Sequence, residues 1–145
     1  MVAKALAAHG IAHVAIETDH GLAEALRADG VTTVWGDATR LEVPQAARPD
    51  KARLIVLAMP DAAGCRMVMA MARAANPEIV AAARAHDVAD AKFLTREAGV
   101  GLVVMGEREI ALGIAGFTLR QFGVDAADAQ RTLESFRSRP DDAAA

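Results

Sequence analysis

Tyrosine is absent from this chain of 145 residues, and aromatic residues make up only 3% of it, as one Trp and four Phe. Two function classes lose their usual chemistry with them. Single-stranded nucleic acid is held on aromatic stacking platforms, and the tyrosine–lysine pair that moves protons in short-chain dehydrogenases cannot be built. Lysine is scarce too, limited to Lys4, Lys51 and Lys92, and no basic run occurs. With a formal net charge of -3, the chain lacks the footprint of a phosphodiester binder, and nucleic acid is not an expected partner. The only cysteine is Cys65, so no internal disulfide can form, which fits a reducing compartment. A lone cysteine among alanines is read as a small buried helix residue. Long hydrophobic runs are missing as well. LIVLAMP (54–60) and IALGIAGFTL (110–119) fall short of the roughly 18 apolar residues of a membrane span. The opening MVAKALAAHG is interrupted by His9 and Gly10 before it reaches signal-peptide length. A cytoplasmic location is expected.

What the chain does hold is aliphatic. Hydrophobic residues reach 53%, and the length suits one domain with a real core. The spacing of Val2, Ala5, Leu6 and Ala8 predicts a helix closed by Gly10. A strand over 12–17 follows, then a helix burying Leu22, Ala25 and Leu26 and ending at Gly30. A short strand covers 31–35. Thr39 is placed to cap a helix over 40–47, with Pro49 at its exit. The continuous apolar run 53–59 suits a central parallel strand buried on both faces. Asp61 then opens a helix that Asn76-Pro77 stops near residue 75. Strands over 79–83 and 102–105 enclose a helix over 88–98. Two helices complete the chain, over 107–121 and from an Asp125 cap to Pro140, before a frayed DDAAA tail. Alternation of this kind predicts an α/β domain of right-handed βαβ units.

Chemistry concentrates at strand ends. Glu17 closes the first strand just before a helix, the place where dinucleotide folds put a ribose-binding carboxylate. A glycine-rich phosphate turn belongs about 20 residues earlier, and the preceding residues contain none. The Gly36-Asp37-Ala38-Thr39 turn follows the second strand. Asp37 is either a ligand contact or a simple turn former, since Gly-Asp pairs favour turns. The histidines are scattered, and none has metal-ligand spacing with Cys or carboxylates. Glu107 and Glu109 suit a helix N-terminus better than catalysis.

The order AIETD, WGDAT, LIVLAMPD, IVAAARAH, GVGLVVMGEREIA resembles the TrkA-N or RCK nucleotide-binding domain, and more narrowly the cytosolic regulator of Kef-type potassium/proton antiporters. The resemblance runs to about Leu119. It implies a Rossmann-like parallel sheet in three α/β/α layers that binds NAD(H) or an AMP-like adenosine nucleotide, forms a homodimer and gates a membrane antiporter or channel module. Carried over by position, Glu17 matches the ribose-binding acid, with Thr18 and Asp19 at its rim. Gly36, Asp37, Ala38 and Thr39 match the adenine-contacting turn, and Ala58, Met59 and Pro60 a nucleotide-lining segment. Arg84 matches a basic residue near the phosphates or the dimer seam. No catalytic and no metal-binding residue is implied. The resemblance further implies a domain lacking the family's first strand and its glycine-rich loop. That strand is the middle one of the 3-2-1-4-5-6 order, so its two neighbours are expected to share no partner and the sheet to be marginally stable.

The expected organisation is a nucleotide-binding domain over 1–122, an amphipathic helix over 123–139 and a disordered tail over 140–145. The expected function is a nucleotide-sensing regulatory domain of a potassium-efflux or cation/proton antiport system. A non-catalytic dimerisation module without nucleotide binding is the alternative, and a Rossmann oxidoreductase fragment stands behind both.

Overall fold

Glycine and asparagine punctuate the chain where the sequence places them. The computed structural model describes residues 1–96 and 98–137. Helix α1 (Val2–Ala8) ends as Gly10, at φ +64°, donates its N–H to the Ala7 carbonyl. Strand β1 (Val14–Glu17) leads into α2 (His20–Ala28), and Gly30 at φ +81° turns the chain into β2 (Thr32–Trp35). A short α3 (Glu42–Ala46) and a 3₁₀ turn (Pro49–Lys51) precede β3 (Leu54–Leu57) and α4 (Ala62–Ala75). Asn76 ends α4 by donating from Nδ2 to the Ala52 carbonyl at 2.8 Å and accepting at Oδ1 from the Glu78 N–H. Then come β4 (Val80–Ala85), α5 (Val88–Arg96), β5 (Leu102–Met105), α6 (Gly106–Gln121) and α7 (Ala126–Arg137). The expected stop at Pro140 and the tail over 140–145 lie outside the described residues.

All pairing is parallel where register is defined. β1 runs beside β2 with Val14 opposite Thr32 and Glu17 opposite Trp35. β4 runs beside β5 with Ala82 opposite Leu102 and Ala85 opposite Met105. Two hydrogen-bonded sheets result among the described residues, β1-β2 and β3-β4-β5. β1 and β3, the strands expected to lack a shared neighbour, are not paired with each other.

The chain divides into two compact units, Met1–Ile55 with Ala63–Ala81, and Val56–Ala62 with the residues from Ala82 on. The core of the first holds Cys65, Val68 and Met69 on α4; that of the second holds Leu94, Leu112 and Leu133. Met69, Leu94, Val68 and Cys65 are the largest fully enclosed side chains, so the packing is aliphatic. Among the described residues no helix is long and apolar enough to cross a membrane.

Three local expectations are corrected. Leu22 is 57% exposed, and the neighbouring Ala23 at 0% is the side chain α2 buries. β3 is not buried on both faces, because Leu54 and Val56 stand exposed while Leu57 is buried. As an edge strand of its sheet it has one open side. Thr39 does not cap α3, whose N-cap is Leu41 with no side-chain bond. Its hydroxyl goes to Asp37 instead.

Candidate functional site

In the first unit the C-terminal ends of β1 and β2 lie side by side, and two turns leave them. Glu17 is half-buried at the tip of β1. Its Oε1 accepts the Asp19 backbone N–H at 3.0 Å and the Thr18 hydroxyl at 3.4 Å, while its second oxygen takes no hydrogen bond among the described residues. One oxygen is thus fixed, and the other remains a free acceptor for a hydroxyl pair. Asp19 is the N-cap of α2, its Oδ1 accepting from the Leu22 N–H at 2.8 Å.

The β2 turn is tied to the same point. Gly36 donates its N–H to the Glu17 carbonyl at 2.9 Å. It does so at φ +152°, and a Cβ there would stand 2.7 Å from Val43 Cγ2. Glycine is therefore required twice, by conformation and by space. Asp37 then folds an Asx turn, with Oδ1 accepting the Thr39 N–H at 2.9 Å and the Thr39 hydroxyl at 2.7 Å. Those two bonds, backbone first, together with nearby Arg40, hold the Asp37 carboxyl below its ordinary range. Glu17, Thr18, Asp19 and Gly36 are thus brought into one hydrogen-bonded cluster, and Asp37, Ala38 and Thr39 form a preformed anionic turn beside it.

Ala58, Met59 and Pro60 and Arg84 belong to the second unit. The three consecutive residues form the irregular segment after β3, with Ala58 and Pro60 exposed and Met59 half-buried. Arg84 lies in β4 opposite Val104. Its Nε is the nearest group to a Cβ built on Gly106, at 4.0 Å, so its guanidinium lies by the first residue of α6.

One neighbour of the cluster carries no assigned role in the sequence reading. Trp35, the register partner of Glu17, donates from Nε1 to the Thr18 carbonyl at 3.0 Å. The His20 ring meets it edge-to-face with centroids 5.1 Å apart. The available signal was the only tryptophan of the chain sitting at a strand's C-terminal end, where open α/β sheets bind ligands.

Comparison with known proteins supplies the family. The TrkA-N domain family matches residues 1–106. YbaL of Escherichia coli strain K12, described as a cation/proton antiporter, is 39% identical over 111 residues, covering 77% of this chain and 20% of its own. Its TrkA-N domain, solved as a crystal structure, is 38% identical with a TM-score of 0.72, covering 78% of this chain and 83% of that one. The glutathione-regulated potassium-efflux protein KefC of Cronobacter sakazakii is 28% identical over 132 residues, covering 91% of this chain and 21% of its own. The chain thus spans about a fifth of the length of the curated relatives it matches. Two more distant structures share the fold. They are the Shewanella denitrificans Kef CTD in its AMP-bound form, at 23% identity and TM-score 0.79 over 94% of this chain and 82% of that one, and the GsuK channel bound to NAD, at 19% and 0.67 over 77% and 20%. The expected Rossmann-like α/β fold holds, and the chain belongs to the TrkA-N domain family.

Proposed function

We infer that this chain is the nucleotide-sensing regulatory domain of a potassium-efflux or cation/proton antiport system. It binds an adenine nucleotide, AMP-like or NAD(H), and its occupancy gates transport. The observation that carries the reading is the Glu17 carboxylate, with one oxygen locked by Asp19 and Thr18 and the other free, beside the Gly36–Thr39 turn. Family membership supports it, as do the AMP and NAD named for two proteins of the same fold. A nucleotide gates a partner only through different affinities for two states of the domain. The transport module is then the remainder of a longer protein or a separate chain at the cytoplasmic face of the membrane. No catalytic step is assigned to any residue.

Calorimetric titration with adenosine, AMP and NADH tests the reading. Glu17→Ala is expected to weaken whichever ligand binds by roughly 1.5–3 kcal/mol, the worth of a hydrogen bond to a charged group. Unchanged affinity would remove Glu17 from the ribose.

A homodimer is the second part of the reading, favoured by the apolar stripe of Ile110, Ile114 and Phe117 that α6 leaves exposed. If no nucleotide binds, dimerisation alone becomes the function to pursue.

A further inference from the structure

We propose that Trp35 is the stacking platform for the base of the bound nucleotide. The proposal rests on the nucleotide reading above and goes beyond it by naming the group that holds the base. An indole left 55% exposed forgoes much of the burial that usually places tryptophan inside. Exposed side chains are ordinarily free to rotate, yet this one is held at two points. Nε1 is anchored to the Thr18 carbonyl at 3.0 Å, and His20 packs against the ring at an interplanar angle of 89°. The exposed surface of the ring is therefore preorganised, so a ligand that covers it has little entropy left to lose.

Position supplies the second half of the argument. Trp35 is the register partner of Glu17 on the adjacent parallel strand, and such neighbours lie about 4.8 Å apart. A ribose whose hydroxyls meet the Glu17 carboxylate carries its base on the far side of the sugar ring, about one strand spacing away. The Gly36–Thr39 turn begins at the very next residue and is tied to Glu17 through Gly36. A flat aromatic group delivered between these elements meets the indole face. Stacking on an indole uses the π-face that every base possesses and reads no hydrogen-bond pattern. Trp35 accordingly contributes affinity for a base, more for a purine than for a smaller pyrimidine, and leaves the choice among purines to other groups.

The chain contains one tryptophan, so its emission reports on this position alone. The full chain is titrated with AMP by calorimetry and by tryptophan fluorescence, with ribose 5-phosphate as a base-free control. Trp35→Phe and Trp35→Leu are compared after melting curves establish that both fold. The expected result is a saturable change in emission with the calorimetric Kd and an affinity for AMP about 5- to 150-fold weaker in Trp35→Leu, the range for losing one base–aromatic stack. Trp35→Phe keeps most of the affinity, and ribose 5-phosphate binds both variants like the parent. Calorimetric binding of AMP with silent emission and an unchanged Kd in Trp35→Leu overturns the stacking role while leaving the nucleotide reading intact. Equal losses in both variants assign the effect to the missing Nε1 bond to Thr18, and also overturn it. No binding of AMP to the parent chain overturns the nucleotide reading and this proposal together.

Discussion

A methyl group at position 36 would press on Val43 at 2.7 Å while the backbone holds φ at +152°. Gly36→Ala should therefore cost about 1–3 kcal/mol of stability, the scale of a residue forced into sparsely populated backbone space. Denaturant unfolding measures it. Adding Val43→Ala should recover only the steric share, since the dihedral demand persists. The next residue is the pH-sensitive one. Asp37 is held below the ordinary carboxylate range by the Thr39 backbone and hydroxyl bonds and by Arg40. A depressed carboxylate gives its stabilisation in full above its unfolded pKa and loses it as pH falls through the lower, folded value. The turn should thus be intact at neutral pH and open only in acid, read as an acid-range NMR titration of the Thr39 amide that Asp37→Asn abolishes. Glu17 and Asp37 were legible because an acid closing a strand and a Gly-Asp turn are local patterns. The partner of Thr39 was not. A hydroxyl beside both a carboxylate and a helix start has two acceptor geometries within reach, and only the fold of the turn chooses between them.

Among the described elements, α6 and α7 are fastened to each other by side chains. Arg137 grips Glu109 through Nη2 at 2.8 Å and Nε at 3.2 Å, and Arg108 Nη2 donates to the Phe136 carbonyl at 2.9 Å. These bonds lie near the solvent, where ion pairs contribute little. The close approach at Gly116 matters more, because a Cβ there would come within 2.9 Å of Leu133 Cδ1. An alanine can be met by rotation of the flexible leucine tip. Gly116→Leu cannot, and should cost about 1–3 kcal/mol as an overpacked contact. Faster amide exchange confined to α7, with β1, α2 and β2 unchanged, is the expected signature. Element positions were readable from sequence to within a residue or two, since glycines, Asn76 and apolar runs are local signals. Faces were less readable. Leu22 and Ala23 are adjacent on α2, and periodicity favours the larger side chain, whereas the fold turns the smaller one inward and leaves Leu22 exposed. For β3, an unbroken apolar run suggests burial on both sides, but burial depends on which neighbours cover the strand, and β3 has Leu54 and Val56 uncovered.

The molecule as a whole presents a large apolar surface on α6. Ile110, Ile114 and Phe117 recur at helical spacing on one stripe, and Phe122, the C-cap of the helix, is exposed as well. Stripes of this kind mark interfaces more often than free surface. Sedimentation at micromolar concentration should give a dimer or larger species, and the double change Ile114→Glu with Phe117→Glu should return a monomer. A mass that stays monomeric and independent of concentration in the parent chain would count against the homodimer and weaken the antiporter-regulator reading. The Rossmann-like character was legible from the alternation of strands and helices, whereas a stripe at helical spacing reads the same in one chain whether a core or a partner covers it. The strand pairing described above also bears on how the chain finds its fold. Val14 meets Thr32, and Ala82 meets Leu102, so each ladder joins segments separated by a single helix. Closing loops of this length sacrifices less chain entropy than pairing more distant segments would. Glu17 and the glycine turn therefore reside in a ladder whose two strands need only the intervening helix in order to meet.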